Sequence, residues 1–141
     1  MILVHNYGYI KPLIMNKLFD IACNFTSNRF NEDLDKVIVN AIDKNVDKFL
    51  LVSAEMGDID RILDINNLYP NNCYFTSGVH PHHANDFFDE SPSILDKLVI
   101  EHNPNAIGET GLDFFRNISS YDNQVYAFEE QIKIAIKHNK P

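Results

Sequence analysis

Three histidines fall within four positions in the run Gly78-Val79-His80-Pro81-His82-His83. Neutral imidazoles bind metal ions and imidazolium groups bind phosphate, so His80 and His82 suit a hydrolytic or phosphate-handling site. The same run also reads as an exposed polar loop, and His83 is the simplest of the three to assign to the surface. A second run, Gly108-Glu109-Thr110-Gly111-Leu112-Asp113, brackets a glutamate with two glycines. Such glycines let backbone and ligand approach closely. A Glu109 that faces inward requires either a Lys or Arg partner or a bound cation. A third run, Asp20-Ile21-Ala22-Cys23-Asn24-Phe25-Thr26, sets Asp20, Ala22 and Asn24 on one face of a strand, where the two polar side chains bond a ligand or simply neighbouring loops.

Four short apolar segments read as strands, residues 18–23, 48–53, 73–79 and 105–108, and the three runs lie at the ends of the first, third and fourth. Helical patterns separate them. In residues 32–44, Leu34, Val37, Ile38, Ala41 and Ile42 mark one face of an amphipathic helix. Residues 58–68 repeat the pattern with Ile59, Ile62 and Leu63 and stop before Pro70. A third helix opens with Ser91 as N-cap and Pro92 at its first position, and buries Ile94, Leu95, Leu98 and Val99. The fourth spans 124–138, with Val125, Phe128, Ile132, Ala135 and Ile136 as its expected buried stripe.

Four alternating βα units require a parallel sheet with right-handed crossovers. Two architectures satisfy that: an open doubly wound sheet, or half of an eight-stranded barrel, which typically needs ~250 residues. Both place ligand sites at the C-terminal ends of strands, where all three polar runs lie.

Composition narrows the function. The 141 residues carry 12 Lys+Arg against 20 Asp+Glu, a formal charge of −8, with 45% hydrophobic and 23% charged residues. This is a globular composition, and its field disfavours a nucleic-acid binder that works through a basic coat. It leaves room for an enzyme that meets phosphate through metal ions. Two cysteines, Cys23 and Cys73, are too few for a disulfide framework and read as free thiols of a reducing compartment. No segment approaches the ~18 consecutive apolar residues of a membrane span. Residues 1–14 lack the pattern of a signal peptide. With no lysine-rich cluster, the cytoplasm is the expected location, the nucleus remaining open. GxGxxG, P-loop and GxSxG motifs are absent.

Taken together, the three runs resemble the TatD family of metal-dependent deoxyribonucleases, amidohydrolase-type barrel enzymes. Asp20–Thr26 is similar to the family's D-I-x-x-N-L-T, with Phe25 in place of Leu. Gly78–His82 resembles G-x-H-P-H, and Gly108–Asp113 matches G-E-x-G-L-D at every fixed position. The resemblance implies an α/β chain comprising the N-terminal half of a (β/α)8 TIM-type barrel, residues 18–141, with residues 1–17 as an extension and Met15 where relatives usually begin. It implies hydrolysis of DNA phosphodiesters, with Glu109 as catalytic residue and metal ligand. His80, His82, Asn24 and Asp113 are implied as substrate-binding. The implied cofactor is a divalent metal, Mg²⁺, with two ions in the complete enzyme. Asn24 and Ala22 stand where many relatives carry an H-x-H pair, which leaves the metal number open. Further ligand histidines and an aspartate belong to later strands of the family, so this chain alone is expected to be inactive. The alternatives are a non-catalytic short product or a half-barrel that pairs with a complementing chain or itself through exposed edges.

Overall fold

A computed structural model describes residues 16–141; the expected extension and the Met15 start lie outside the described residues, apart from residues 16 and 17. Four parallel strands, β1 (Leu18–Cys23), β2 (Val46–Leu51), β3 (Cys73–Ser77) and β4 (Ala106–Ile107), lie side by side in chain order. Helices α1 (Leu34–Asp43), α2 (Ile59–Leu68) and α3 (Ser91–His102) connect them, and α4 (Tyr121–Lys137) follows β4. A doubly wound sheet reverses its strand order at a switch point, whereas a barrel adds each strand beside the last. The order β1-β2-β3-β4 is therefore that of a half-barrel.

The register explains which faces are buried. Phe49 pairs with Cys73 and Leu51 with Phe75, so alternate residues of β2 and β3 point together towards α1 and α2. There they meet Ile38, Ile62 and Ile65, all almost fully buried, in one apolar cluster. A second cluster joins Val79, Leu95, Val99, Ile107, Ala127 and Ile134 around β4, α3 and α4. β1 is the exception. It is an edge strand, and Leu18 to Ala22 are all exposed, so Asp20 does not lie on a buried face.

Two helices differ from expectation at their starts. Ser91 is the first residue of α3 rather than its cap, and its hydroxyl accepts from the Phe88 N–H at 2.8 Å. Helix α4 begins a turn early, at Tyr121, with the Ser120 side chain capping the Asn123 N–H. Its buried face is also rotated. Gln124, Ala127, Gln131 and Ile134 point inward, while Ile132 and Ile136 are exposed. The apolar stripe was misleading because two glutamines on the neighbouring stripe bond buried backbone and so occupy the interior at no unsatisfied cost.

Candidate active site

The ends of β2, β3 and β4 are stitched together. The Gly108 N–H donates to the Ser77 carbonyl (3.1 Å), the Glu109 N–H to the Ser53 carbonyl (2.7 Å) and the His80 N–H to the Ala54 carbonyl (2.8 Å). Gly78 makes this convergence possible. A Cβ on it would lie 2.7 Å from the N, Cα and C atoms of Gly108, closer than any side chain tolerates. The histidine run and the glutamate run thus emerge next to each other.

His80 opens a short 3-10 turn, Pro81–Asp86, and its Nδ1 accepts from the His82 N–H at 3.1 Å. An accepting Nδ1 carries no proton, so the neutral ring keeps its hydrogen on Nε2. Burial lowers the pKa of His80, and the nearby Glu109 carboxylate offsets part of that. The His80 and His82 rings meet edge to face, with centroids 4.3 Å apart. His82 Nε2 lies 2.6 Å from Asp113 Oδ2, and the Arg116 guanidinium donates to the same oxygen at 2.8 Å. The backbone N–H of Arg116, then its guanidinium and His82, hold the Asp113 carboxyl well below the usual carboxylate range. An ionised carboxylate only accepts, so His82 donates from Nε2 and its Nδ1 is left as an acceptor when the ring is neutral. The pair of rings therefore offers one donor, His80 Nε2–H, and one acceptor, His82 Nδ1.

Glu109 is half-buried, and its carboxylate makes no hydrogen bond or ion pair among the described residues. The next residue, Thr110, has its hydroxyl oxygen buried without a partner. Among the described residues no Lys or Arg pairs with Glu109, so of the two readings of an inward glutamate the structural pair is not formed there. The donor set nevertheless falls short of a metal centre. Among the described residues no three His, Cys, Asp or Glu side chains are grouped to hold an ion. His80 Nδ1 and His82 Nε2 are already engaged. The residues present fit one carboxylate ligand, not a coordination sphere.

Asn24 stands apart from this group. It is exposed beyond β1, its Oδ1 accepts from the Thr26 hydroxyl at 3.0 Å, and it lines a polar cleft of about 400 Å³ with Arg29, Glu55 and His83. His83 Nδ1 lies 3.9 Å from Glu55 in that cleft. Asp20 turns back to accept from the Ala22 N–H at 3.1 Å. Of the residues expected from sequence, the structure joins His82 to Asp113, sets His80 against His82 and Glu109 beside them, and leaves Asn24 in the adjoining cleft.

Three residues at the site were not expected. Arg116 escaped notice because its loop, 108–120, has no periodicity to read. Gln131, on α4, accepts from the Val79 N–H through Oε1 at 2.8 Å and donates from Nε2 to the Val79 carbonyl at 3.0 Å. Gln124, two turns earlier, accepts from the Asp113 N–H at 2.7 Å and donates to the Asp113 and Ser119 carbonyls at 3.3 and 2.8 Å. The spacing of the two glutamines, in line with Ala127 and Ile134, was the signal available.

A family model described as TatD related DNase matches residues 19–141. The chain is 38% identical over 124 residues to the 3'-5' ssDNA/RNA exonuclease TatD of Erwinia tasmaniensis, covering 88% of this chain and 48% of that protein. It is 41% identical over 118 residues to the exonuclease of the same name from Cronobacter turicensis, covering 84% of this chain and 44% of that one. Among solved structures it resembles the TatD homologue YjjV of Escherichia coli K12, at a TM-score of 0.79 and 26% identity, over 87% of this chain and 48% of that one. A TatD family hydrolase from Entamoeba histolytica gives a TM-score of 0.78 at 25% identity, over 89% of this chain and 48% of that one. The chain thus spans about half the length of the relatives it matches.

Proposed function

Because the chain belongs to the TatD-related DNase family, we propose that it carries part of a metal-dependent site that hydrolyses phosphodiester bonds of single-stranded DNA or RNA. The observation that supports this is the company kept by Glu109: an unpaired, half-buried carboxylate at a strand end, beside a donor on His80 and an acceptor on His82. In this reading Glu109 is the metal ligand and catalytic residue. His80 and His82 meet the phosphate, with Asp113 fixing the His82 ring. Asn24 contacts a nucleotide further along the strand, in the adjoining cleft. Mg²⁺ is the ion proposed, since a carboxylate is a hard oxygen ligand. The cytoplasm is the proposed compartment, in keeping with two free buried thiols.

The test is incubation of the purified protein, complemented in trans by the later strands of a TatD barrel, with a labelled single-stranded oligonucleotide and Mg²⁺, with and without chelator. Stepwise shortening from the 3' end, stopped by chelation, is the expected result. An intact oligonucleotide that also fails to bind would overturn the proposal.

That outcome would favour a second reading, in which the half-barrel pairs with another chain, a complementing one or a copy of itself. The exposed apolar residues Leu18, Phe19 and Ile21 on edge strand β1 support it. Sedimentation of the protein at rising concentration separates a monomer from an associating chain.

A further inference from the structure

We propose that Gln124 and Gln131 are positioning residues that set the two halves of the His82–Asp113 pair from a single rigid helix, α4. Both are almost completely buried, each 1% exposed. Each amide uses both of its N–H donors and accepts once on its oxygen. Gln131 Oε1 accepts from Val79, and its two Nε2 hydrogens go to the carbonyls of Val79 and, at 3.1 Å, Ala127. Gln124 Oε1 accepts from Asp113, and its Nε2 hydrogens go to Asp113 and Ser119. Each side chain therefore behaves like a strand neighbour to one residue, holding both its N–H and its C=O. Residue 79 immediately precedes His80 and the turn that carries His82; residue 113 is the carboxylate itself.

A core-filling role does not explain this geometry. Leu or Met would fill the same volume without burying an amide, and a buried amide is tolerated only where its N–H and C=O groups find partners. Nor would Glu serve, because its carboxylate cannot donate to the carbonyls that Nε2 now meets. The two glutamines are seven residues apart on one face of one helix, so they fix the spacing of the two loops about as rigidly as α4 itself. Ser119 adds a third tie, its hydroxyl lying 2.8 Å from the His82 carbonyl and 3.2 Å from the Asn85 N–H.

The functional sense of the clamp rests on the hydrolytic reading of the site, but its test does not. In the unaltered protein, amide hydrogen exchange of Val79 and Asp113 is expected to be slowed by about a thousandfold relative to an unstructured peptide. Free exchange of either would overturn the clamp without any variant. Gln131→Met is expected to displace the His80 and His82 imidazole resonances and speed Val79 exchange, and Gln124→Met to displace those of His82 and speed Asp113 exchange. The resonances of His138, which bonds Asp96 on α3, should stay fixed in both. Folded variants with His80 and His82 unmoved would reduce the glutamines to packing and contradict the proposal. The expected pattern without any oligonucleotide hydrolysis would remove the functional reading alone and leave the clamp standing.

Discussion

Gly78 and Gly108 lie backbone against backbone where β3 and β4 end, with room for hydrogen and nothing larger between them: a Cβ on Gly78 would sit 2.7 Å from three Gly108 backbone atoms. Rigid main chain on both sides cannot give way as a flexible side chain would. Gly78→Ala is therefore expected to destabilise the fold by about 1–3 kcal/mol, the usual range for overpacking. Gly57→Ala, whose Cβ meets nothing within 4 Å, is the control and should stay within about 0.5 kcal/mol. Urea titrations of the two variants check both; equal effects would contradict the close approach.

The ionised state of Asp113 gives stability a defined pH dependence. Its folded pKa is held below the usual range by Arg116 and His82, so the unfolded chain takes up the proton first as pH falls. The contribution is complete above the unfolded value of about 3.9 and is lost as pH drops through the lower folded one. Asp113→Asn is thus expected to melt lower than the unaltered protein near neutrality. The gap should narrow progressively below about pH 4. A gap that stays constant down that range would mean the carboxylate is not held ionised by these partners.

Burial pushes the Cys73 thiol up to about 11 and the Cys23 thiol, which also feels Asp20, up to about 12. The thiolate is the reactive form, so neither should alkylate in the folded protein near pH 8, below the ordinary thiol value of about 8.5. Both should react once guanidinium unfolds the chain. Mass spectrometry after iodoacetamide treatment reads this directly, and rapid native labelling of either would show that its part of the core opens.

Much of the frame was legible because parallel βα units leave a regular signature. Continuous apolar runs marked β2 and β3, and the polar clusters fell at the strand ends where that architecture puts its sites. Ladder position was not legible for β1. Its composition resembles a buried strand, yet as an edge strand it exposes Leu18, Phe19 and Ile21. Helix α4 misled for a different reason. Hydrophobic phase pointed to Ile132 and Ile136, but Ile136 is 75% exposed, while the side chains that face the site are Gln124 and Gln131. A periodicity of apolar residues cannot reveal a face whose task is to hydrogen-bond two loops. The Asp113–Arg116 pair lay beyond reach as well, since it forms inside an irregular loop with no repeat to expose it.

The account stands on Glu109 as the group that holds a metal ion at the site. The most direct measurement compares Mg²⁺-dependent cleavage of a single-stranded oligonucleotide by the unaltered protein and by Glu109→Gln, each complemented in trans by the later strands of a TatD barrel, with melting temperatures taken on both chains alone. Losing an outer partner of a metal ligand typically costs 10–100-fold, so loss of the ligand itself is predicted to lower turnover by at least about a hundredfold. Melting should change little, because the Glu109 carboxylate has no bonding partner among the described residues to lose, and its backbone bond to Ser53 survives the substitution. Cleavage that continues undiminished in Glu109→Gln would contradict the account.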